Sequence, residues 1–311
     1  MITIGYIFIA FLAAACLVYV ANAYLKQPNN ILLLILCPTS LLWFDSFVIA
    51  MGQFVGEGNL LLGATYIRYS AHWLMLPLLF IASGMILRGA GFKFASNKYI
   101  MGLFYFLTVF FIIEDFRHIF IVDFYPACYG DTLRYATKVP TGQACTTGME
   151  GMGMGTSPAA AILLTVILLL SGIAIWIKHK WPWLAVGCSI MLLAAQPTSI
   201  GPILSNAGEP IFTFAVTLAA IKFGNKNEDD KLVILTVLGE LVSKSDGSMD
   251  KTELDWISEY ISSQENMTET RFNTIMERAR EEGLSILNKI QKMNEDDRKG
   301  IVDNAYKIYQ L

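Results

Sequence analysis

The chain has 311 residues, of which 54% are hydrophobic and 16% are charged, and its net charge is −3. This composition is too apolar for an ordinary water-soluble domain and indicates an integral membrane protein. Residues 1–224 contain 11 Lys and Arg against 8 Asp and Glu, whereas residues 225–311 contain 12 against 18. The net charges of +3 and −6 argue against nucleic acid as a ligand of the C-terminal part.

Apolar stretches long enough to cross a bilayer recur along the first part. A hydrocarbon core about 30 Å thick needs roughly 20 apolar residues in an α-helix. Seven stretches fit, near residues 2–23, 30–52, 68–88, 99–122, 158–177, 181–197 and 207–223. We therefore predict an all-α fold with a seven-helix transmembrane domain over 1–224, a linker over 225–230 and a small soluble helical domain over 231–311.

Basic residues in the connections determine the predicted orientation. They follow the first, third, fifth and seventh stretches, namely Lys26, Arg88, Lys93, Lys98, Lys178, Lys180, Lys222 and Lys226. Because Lys and Arg favour the cytoplasmic side, we predict an N-terminus outside and a cytoplasmic C-terminal domain, as in a bacterial inner-membrane protein. The first stretch has no basic n-region and no small-residue cleavage site before Tyr24, so we interpret it as a retained helix and not a signal peptide.

Two of the five cysteines lie in the long loop between the fourth and fifth stretches. These are Cys128 and Cys145, and the predicted orientation places them outside. An oxidising compartment allows them to form a disulfide, which we predict. Two free thiols or a metal pair are the alternatives, because spacing alone does not determine geometry.

Ionisable residues within the predicted helices indicate a site near the outer face. Each costs about 2.5–3.5 kcal/mol on insertion scales, so such groups usually face the interior of a bundle. Residues four apart share a helix face, as Arg68 and His72 do. The predicted members of this cluster are Asp45, Arg68, Tyr69, His72, Glu114, Asp115, His118 and Glu209.

Several interpretations of the cluster compete. A ligand or proton site would use His72, which titrates near neutral pH, with Asp45 or Glu114. A haem or copper site would use His72 and His118, although no axial-ligand motif surrounds them. A transport pathway is the third, although glycine-interrupted half-helices in paired positions are missing. The structural alternatives are simple pairing of Asp45 with Arg68, and His118 as the end of a helix.

The string that begins at Arg68 reads Arg-Tyr-Ser-Ala-His-Trp-Leu-Met-Leu-Pro-Leu-Leu. It resembles the third helix of microbial rhodopsins, where Arg-Tyr is followed by a counterion, a Trp and then Pro-Leu-Leu. Seven helices and an outside N-terminus are similar too. The Trp is displaced by one residue, Ala71 occupies the counterion position, and Lys222 of the seventh stretch lies at its cytoplasmic end. The resemblance therefore implies a relative without covalently bound retinal.

The same outer loop contains a glycine-rich run with three methionines, Met149, Met152 and Met154. Thioethers bind soft cations such as Cu(I), and three at this spacing form a candidate copper site. A flexible low-complexity loop is the alternative.

From Lys231 the chain has apolar residues at helical spacing, which predicts four or five short helices around a small core. The residues expected on the buried faces are Leu235, Leu238, Leu241, Val242, Leu254, Ile257, Ile261, Phe272, Ile275, Met276, Ala279, Ile301, Ala305 and Ile308.

An Asp-Gly turn separates the first two of these helices, and Asp250 with Glu253 forms a capping-box-like start. The run from Leu235 to Ile257 resembles the TerB/DjlA-like helical family, whose hallmark is an apolar helix, an Asp-Gly turn, then Asp and Glu opening the next helix. The resemblance extends over residues 231–308 and implies a cytoplasmic protein-interaction role linked to stress responses. Asp246, Asp250 and Glu253 are also oxygen ligands, but the EF-hand pattern is absent, which favours turn and capping roles over a divalent-cation site.

Together these patterns predict a membrane sensor or signalling scaffold whose outer polar site is coupled to a TerB-like module, with a role in stress or metal response. A haem- or copper-binding redox protein and an ion or proton transporter are the alternatives. No Ser/His/Asp set, phosphate loop or zinc pattern favours an enzyme. The expected partners are the lipid bilayer and a cytoplasmic protein, while the cofactor and the oligomeric state stay open.

Overall fold

The computed structural model describes residues 1–196, 201–224 and scattered positions between 232 and 279. The chain divides into two compact units, Met1–Tyr24 with Asn30–Gly224 and Leu25–Asn29 with Asn225–Leu311. The described residues are mostly helical, which confirms the all-α prediction except for one small sheet.

The helices of the described residues follow one another with short connections, except for the long segment between α6 and α7. They are α1 (Ile2–Lys26), α2 (Asn30–Val55), α3 (Asn59–Met75), α4 (Leu78–Gly89), α5 (Lys98–Phe116), α6 (His118–Ile121), α7 (Ala159–His179), α8 (Trp183–Ala194) and α9 (Gly201–Phe223). A 3₁₀ helix, Lys93–Ser96, lies between α4 and α5.

Six helical segments in the described chain are long and apolar enough to cross a membrane. One of them, Asn59–Gly89, combines α3 and α4 and begins nine residues before the predicted boundary at residue 68. Arg68 therefore lies about 14 Å along this segment, because each helical residue adds 1.5 Å. The shorter apolar helix α8 has 12 residues, or about 18 Å.

The break between α3 and α4 has a local cause at Pro77. Proline lacks a backbone N–H and its ring clashes with the preceding turn, which kinks a helix. The Pro77 carbonyl accepts a hydrogen bond from the Thr108 hydroxyl of α5 at 3.0 Å. This bond links the kink to α5 within the bundle and satisfies a buried carbonyl.

The core of the first unit is apolar and closely packed. Phe80 of α4 stacks on Phe111 of α5 with ring centroids 5.5 Å apart. Gly172 of α7 lies so close to the backbone of Ala185 in α8 that a Cβ at position 172 would be 2.5 Å from its nitrogen. Small residues allow such close approach of helices in membranes.

A β-hairpin covers one end of this helical unit, which we call the hairpin end. Its strands are β1 (Tyr125–Tyr129) and β2 (Thr132–Ala136), paired antiparallel. The predicted disulfide is present and links Cys128 of β1 to Cys145. This hairpin was not predicted from the sequence.

The hairpin is attached to α1 by hydrogen bonds to a side chain and to α2 by a close backbone contact. Asp131, in the turn, accepts hydrogen bonds from the backbone amides of Ile2 at 2.8 Å and Thr3 at 3.2 Å, and it caps the start of α1. Gly52, near the end of α2, lies directly against Leu133, because a Cβ there would be 1.7 Å from the Leu133 carbonyl oxygen. The start of α1 and the end of α2 therefore lie at the hairpin end.

The second unit has its own small apolar core in the part that the structure describes. Ile261, Ile275 and Ala279 are buried there, and Phe272 and Met276 pack against them. These five residues were predicted to lie on buried helix faces. Other predicted positions lie outside the described residues, namely Leu235, Leu238, Leu241, Val242, Asp246, Asp250, Glu253, Leu254, Ile257, Ile301, Ala305 and Ile308.

Candidate functional site

A polar cavity of about 240 Å³ lies inside the helical unit at the hairpin end. Helices α2, α3, α5, α7 and α9 contribute to its walls, together with β2 and the residues that precede α7. Its polar lining residues are Asp45, Arg68, Tyr69, His72, Asp115, Arg134, Thr156, Ser157, Asn206 and Glu209. Six of the eight residues predicted to form a polar cluster thus line one cavity.

The wall of the cavity is held together by a buried network that we call the Arg68 network. Arg68 is only 5% exposed, and its Nε lies 3.2 Å from Oδ1 of Asp45. The other carboxylate oxygen of Asp45 accepts a hydrogen bond from the side-chain amide of Asn206 at 2.9 Å. Arg68 also donates through Nη2 to the Tyr135 carbonyl at 3.4 Å. These bonds connect α2, α3, α9 and β2.

Several buried donors around the cavity have no hydrogen-bond acceptor among the described residues. They are Nη1 of Arg68, Nε of Arg134 and the hydroxyl of Tyr6. Arg134 uses a different nitrogen, Nη2, to donate to the Gln143 side chain at 2.8 Å. Because a buried donor without an acceptor costs about 1–3 kcal/mol, an acceptor supplied from outside the chain would lower the free energy of these groups.

His72 and Glu209 form a second level of the site, farther from the hairpin end. His72 follows Arg68 by four residues and Glu209 follows Asn206 by three, so each lies about one turn along its helix. The described residues provide no hydrogen bond to the imidazole of His72 or the carboxylate of Glu209. Both side chains therefore remain available to a molecule in the cavity.

A smaller cavity of about 50 Å³ adjoins this second level. His72, Leu76, Ala161 and Glu209 line both cavities. Away from this junction the walls of the smaller cavity are largely apolar, and its apolar lining residues are Ile35, Pro38, Leu42, Leu79, Leu164, Met191, Phe212 and Val216. The polar cavity and the apolar one thus share part of their wall.

Two predicted members of the cluster lie outside the cavity lining. Glu114 forms an ion pair with Arg117, and its side chain is 45% exposed. His118 lies 3.5 Å from Asp115 and its ring is 5.4 Å from that of Trp73. Since Asp115 and Trp73 line the cavity, His118 supports its wall from behind.

The proposed metal ligands do not share one cavity lining. His72 lines the cavity and His118 does not. The described residues contain no group of three or more His, Cys, Asp or Glu side chains suited to a metal. Met149, Met152 and Met154 line neither cavity, and backbone bonds from Val139 to Gly151 and Met152 hold their loop near the hairpin.

Lys222, the lysine of the seventh apolar stretch, also lies away from both cavities. Lys222 is in the last turn of α9, with its ammonium 5.6 Å from the centre of the Trp181 ring. No lysine lines either cavity in the described chain.

Sequence reasoning missed four polar residues of the site, namely Arg134, Thr156, Ser157 and Asn206. Arg134 lies in the long segment between the fourth and fifth apolar stretches, and only the docking of β2 brings it to the cavity. Asn206 lies one turn before Glu209 on α9, and this spacing is a signal by which it could have been found.

The charges that line the cavity are mixed. Asp45, Asp115 and Glu209 are carboxylic acids, and Arg68 and Arg134 are guanidinium groups. Charged side chains inside a membrane bundle are costly and usually belong to a binding or transport site. The arrangement is suited to bind a small polar molecule that carries charge.

Comparison with known proteins adds no further assignment. No family model matches the chain, and a search of curated proteins finds no match. The resemblances to the TerB/DjlA-like family and to microbial rhodopsins therefore stay predictions.

Proposed function

We propose that this protein is a membrane sensor that binds a small polar ligand in the cavity and transmits its occupancy through α9 to the C-terminal domain. The observation that carries the proposal is the Arg68 network, which is buried and lies in the wall of the cavity. A charged group that serves stability alone would be surrounded by partners. Here Arg68 has a donor without an acceptor beside a cavity of about 240 Å³.

The proposed orientation has the hairpin end outside the cell membrane. Its disulfide suits an oxidising compartment. The connection after α4 carries Lys93 and Lys98, and it adjoins the end of α7, because Lys178 donates to the Ala90 carbonyl at 3.0 Å. Basic residues favour the cytoplasmic side, so the end opposite the hairpin would face the cytoplasm.

Seven crossings are proposed, with α8 as the shortest. Its 12 residues pack against α7 at Gly172 and against α9 at Gly187, where a Cβ would be 2.3 Å from that of Ala215. A short helix that is flanked in this way need not match the full bilayer thickness by itself, because neighbouring helices shield its ends.

The proposed coupling element is α9. It carries Asn206 and Glu209 in the wall of the cavity and ends at Phe223. Only residues 225–230 separate this helix from the predicted TerB-like domain. A ligand that alters the bond between Asn206 and Asp45 would shift the equilibrium between two positions of α9. The acidic C-terminal domain would then present a changed surface to a cytoplasmic protein.

A cavity-filling substitution tests this function without knowledge of the ligand. Ala161 lines both cavities, so Ala161→Leu would occupy the space that a ligand needs. We expect hydrogen exchange in residues 225–311 of the full chain in lipid nanodiscs to change at least threefold.

Ala159→Leu is the matched control, because Ala159 begins the same helix, is exposed and lines neither cavity. Ala161→Val, a smaller change, provides a second variant that preserves folding. Equal exchange in all four proteins would refute the proposed coupling.

A further inference from the structure

We infer that the ligand is a small zwitterion of the amino-acid class, with a carboxylate, an ammonium group and a short apolar substituent. This inference rests on the proposed function and specifies the chemistry of the same cavity. Three features of the lining support it: donors without acceptors at one level, a carboxylate without a partner at the next, and an apolar extension beyond.

The carboxylate end of the ligand is recognised by guanidinium groups. Arg68 is buried and donates to Asp45 and Tyr135 through Nε and Nη2, which leaves Nη1 without an acceptor in the described structure. Arg134 likewise has a buried Nε without an acceptor. Guanidinium groups bind carboxylates through short charge-assisted hydrogen bonds. Two guanidinium groups in the lining of one cavity therefore favour an anionic group there.

The ammonium end is recognised by Glu209. The other two carboxylic acids of the lining have partners, since Asp45 binds Arg68 and Asp115 lies 3.5 Å from His118. Glu209 has no ion pair or hydrogen bond among the described side chains. A carboxylic acid in a low-dielectric site is stabilised in its ionised form by a cationic group beside it.

A zwitterion provides partners for both the guanidinium groups and Glu209, which a simple anion or a simple cation does not. An anion at Arg68 would leave the carboxylate of Glu209 without a partner, and a cation at Glu209 would leave the Arg68 donor without an acceptor. Asn206 and Glu209 are separated by a rise of about 4.5 Å along α9, so the two levels are a few ångströms apart. The ammonium and carboxylate groups of an amino acid have a comparable separation.

The smaller cavity accounts for the apolar substituent. It shares His72 and Glu209 with the larger cavity, beside the proposed ammonium position, and is lined by Leu79, Leu164 and Phe212. The volume of about 50 Å³ accommodates roughly four non-hydrogen atoms, because each group the size of a water molecule needs about 10–15 Å³. A branched aliphatic side chain of this size, as in leucine, would fill it.

Matched ligands on the unchanged full chain test the ligand class. L-Leucine is compared by calorimetry in nanodiscs with 4-methylpentanoate, which lacks the ammonium group, and with 3-methylbutylamine, which lacks the carboxylate. We expect L-leucine to bind at least tenfold more tightly than either. Equal or tighter binding of one of these two compounds, or no binding of L-leucine, would overturn the inference.

A substitution then assigns the ammonium contact. Glu209→Gln should weaken L-leucine at least tenfold and leave 4-methylpentanoate unchanged, while Glu114→Gln, at an exposed position outside the lining, should change neither. Unchanged leucine binding in Glu209→Gln would contradict the assignment.

The two proposals fail separately. If Ala161→Leu alters exchange in the C-terminal part but L-leucine does not bind, only the ligand class is wrong. If Ala161→Leu has no effect on exchange, the sensor proposal fails whatever the cavity binds.

Discussion

Replacing Asp45 by asparagine would leave the guanidinium of Arg68 buried without its carboxylate. The side chains of Arg68 and Asp45 are 4% and 18% exposed, and the contact between them is 3.2 Å. Removal of one partner of a buried pair costs 3–5 kcal/mol. Because Asp45 is partly exposed and asparagine can still accept from Asn206, we expect the lower end, about 3 kcal/mol.

The free energy of unfolding in mixed detergent micelles measures this effect. Glu57→Gln, at an exposed carboxylate just after α2, is the control and should leave the free energy unchanged. Adding Arg68→Met to Asp45→Asn should recover at least half of the loss, because no buried charge remains. A loss below about 1 kcal/mol in the single variant would refute the reasoning, since it would mean that water in the cavity compensates Arg68.

Two further predictions concern the attachment of the hairpin. Gly52→Ala should destabilise the protein by about 1–3 kcal/mol, because its Cβ would lie 1.7 Å from the Leu133 carbonyl oxygen. The control for the same measurement is Gly63→Ala in α3. It should stabilise the protein slightly, because open space surrounds this position. The Met1 amino group, together with the Thr3 and Ile2 amides, lowers the pKa of Asp131 to about 2. Since the folded pKa lies below the unfolded one, near 4, the contribution of Asp131 to stability is present above pH 4 and disappears as the pH falls towards 2. Thermal unfolding of Asp131→Asn should depend less on pH in this window, and parallel curves for the two proteins would contradict the assignment.

The polar cluster could be predicted from the sequence because ionisable side chains within membrane helices usually face the interior of the bundle. Asp45, Arg68, His72 and Glu209 each lie within an apolar stretch, so each had to face the bundle interior. Their depth was predicted less well. The third apolar stretch was predicted to begin at Arg68, whereas α3 begins at Asn59. The three leucines that follow Asn59 extend the helix on the N-terminal side of Arg68.

The hairpin could not be predicted because its stability is not local. Isolated two-stranded hairpins are marginal in water. Here the Cys128–Cys145 disulfide ties β1 to the segment after β2, and Leu133 of β2 approaches Gly52 of α2 closely. Arg134 reaches the cavity only through this docking. Predictions from helical spacing therefore found the helix-borne part of the site and missed the strand-borne part.

The Arg68 network costs stability that an apolar core would not. Replacing a buried ion pair by apolar side chains of similar volume is often neutral or stabilising, and charged side chains within membrane segments are costly as well. Open space beside the network raises this cost further, because its lining loses packing contacts. A ligand that supplies an acceptor to Arg68 and a cation to Glu209 would reduce both costs at once. The free energy released by these contacts is then available to shift α9, which is the requirement for a sensor whose bound and free states differ.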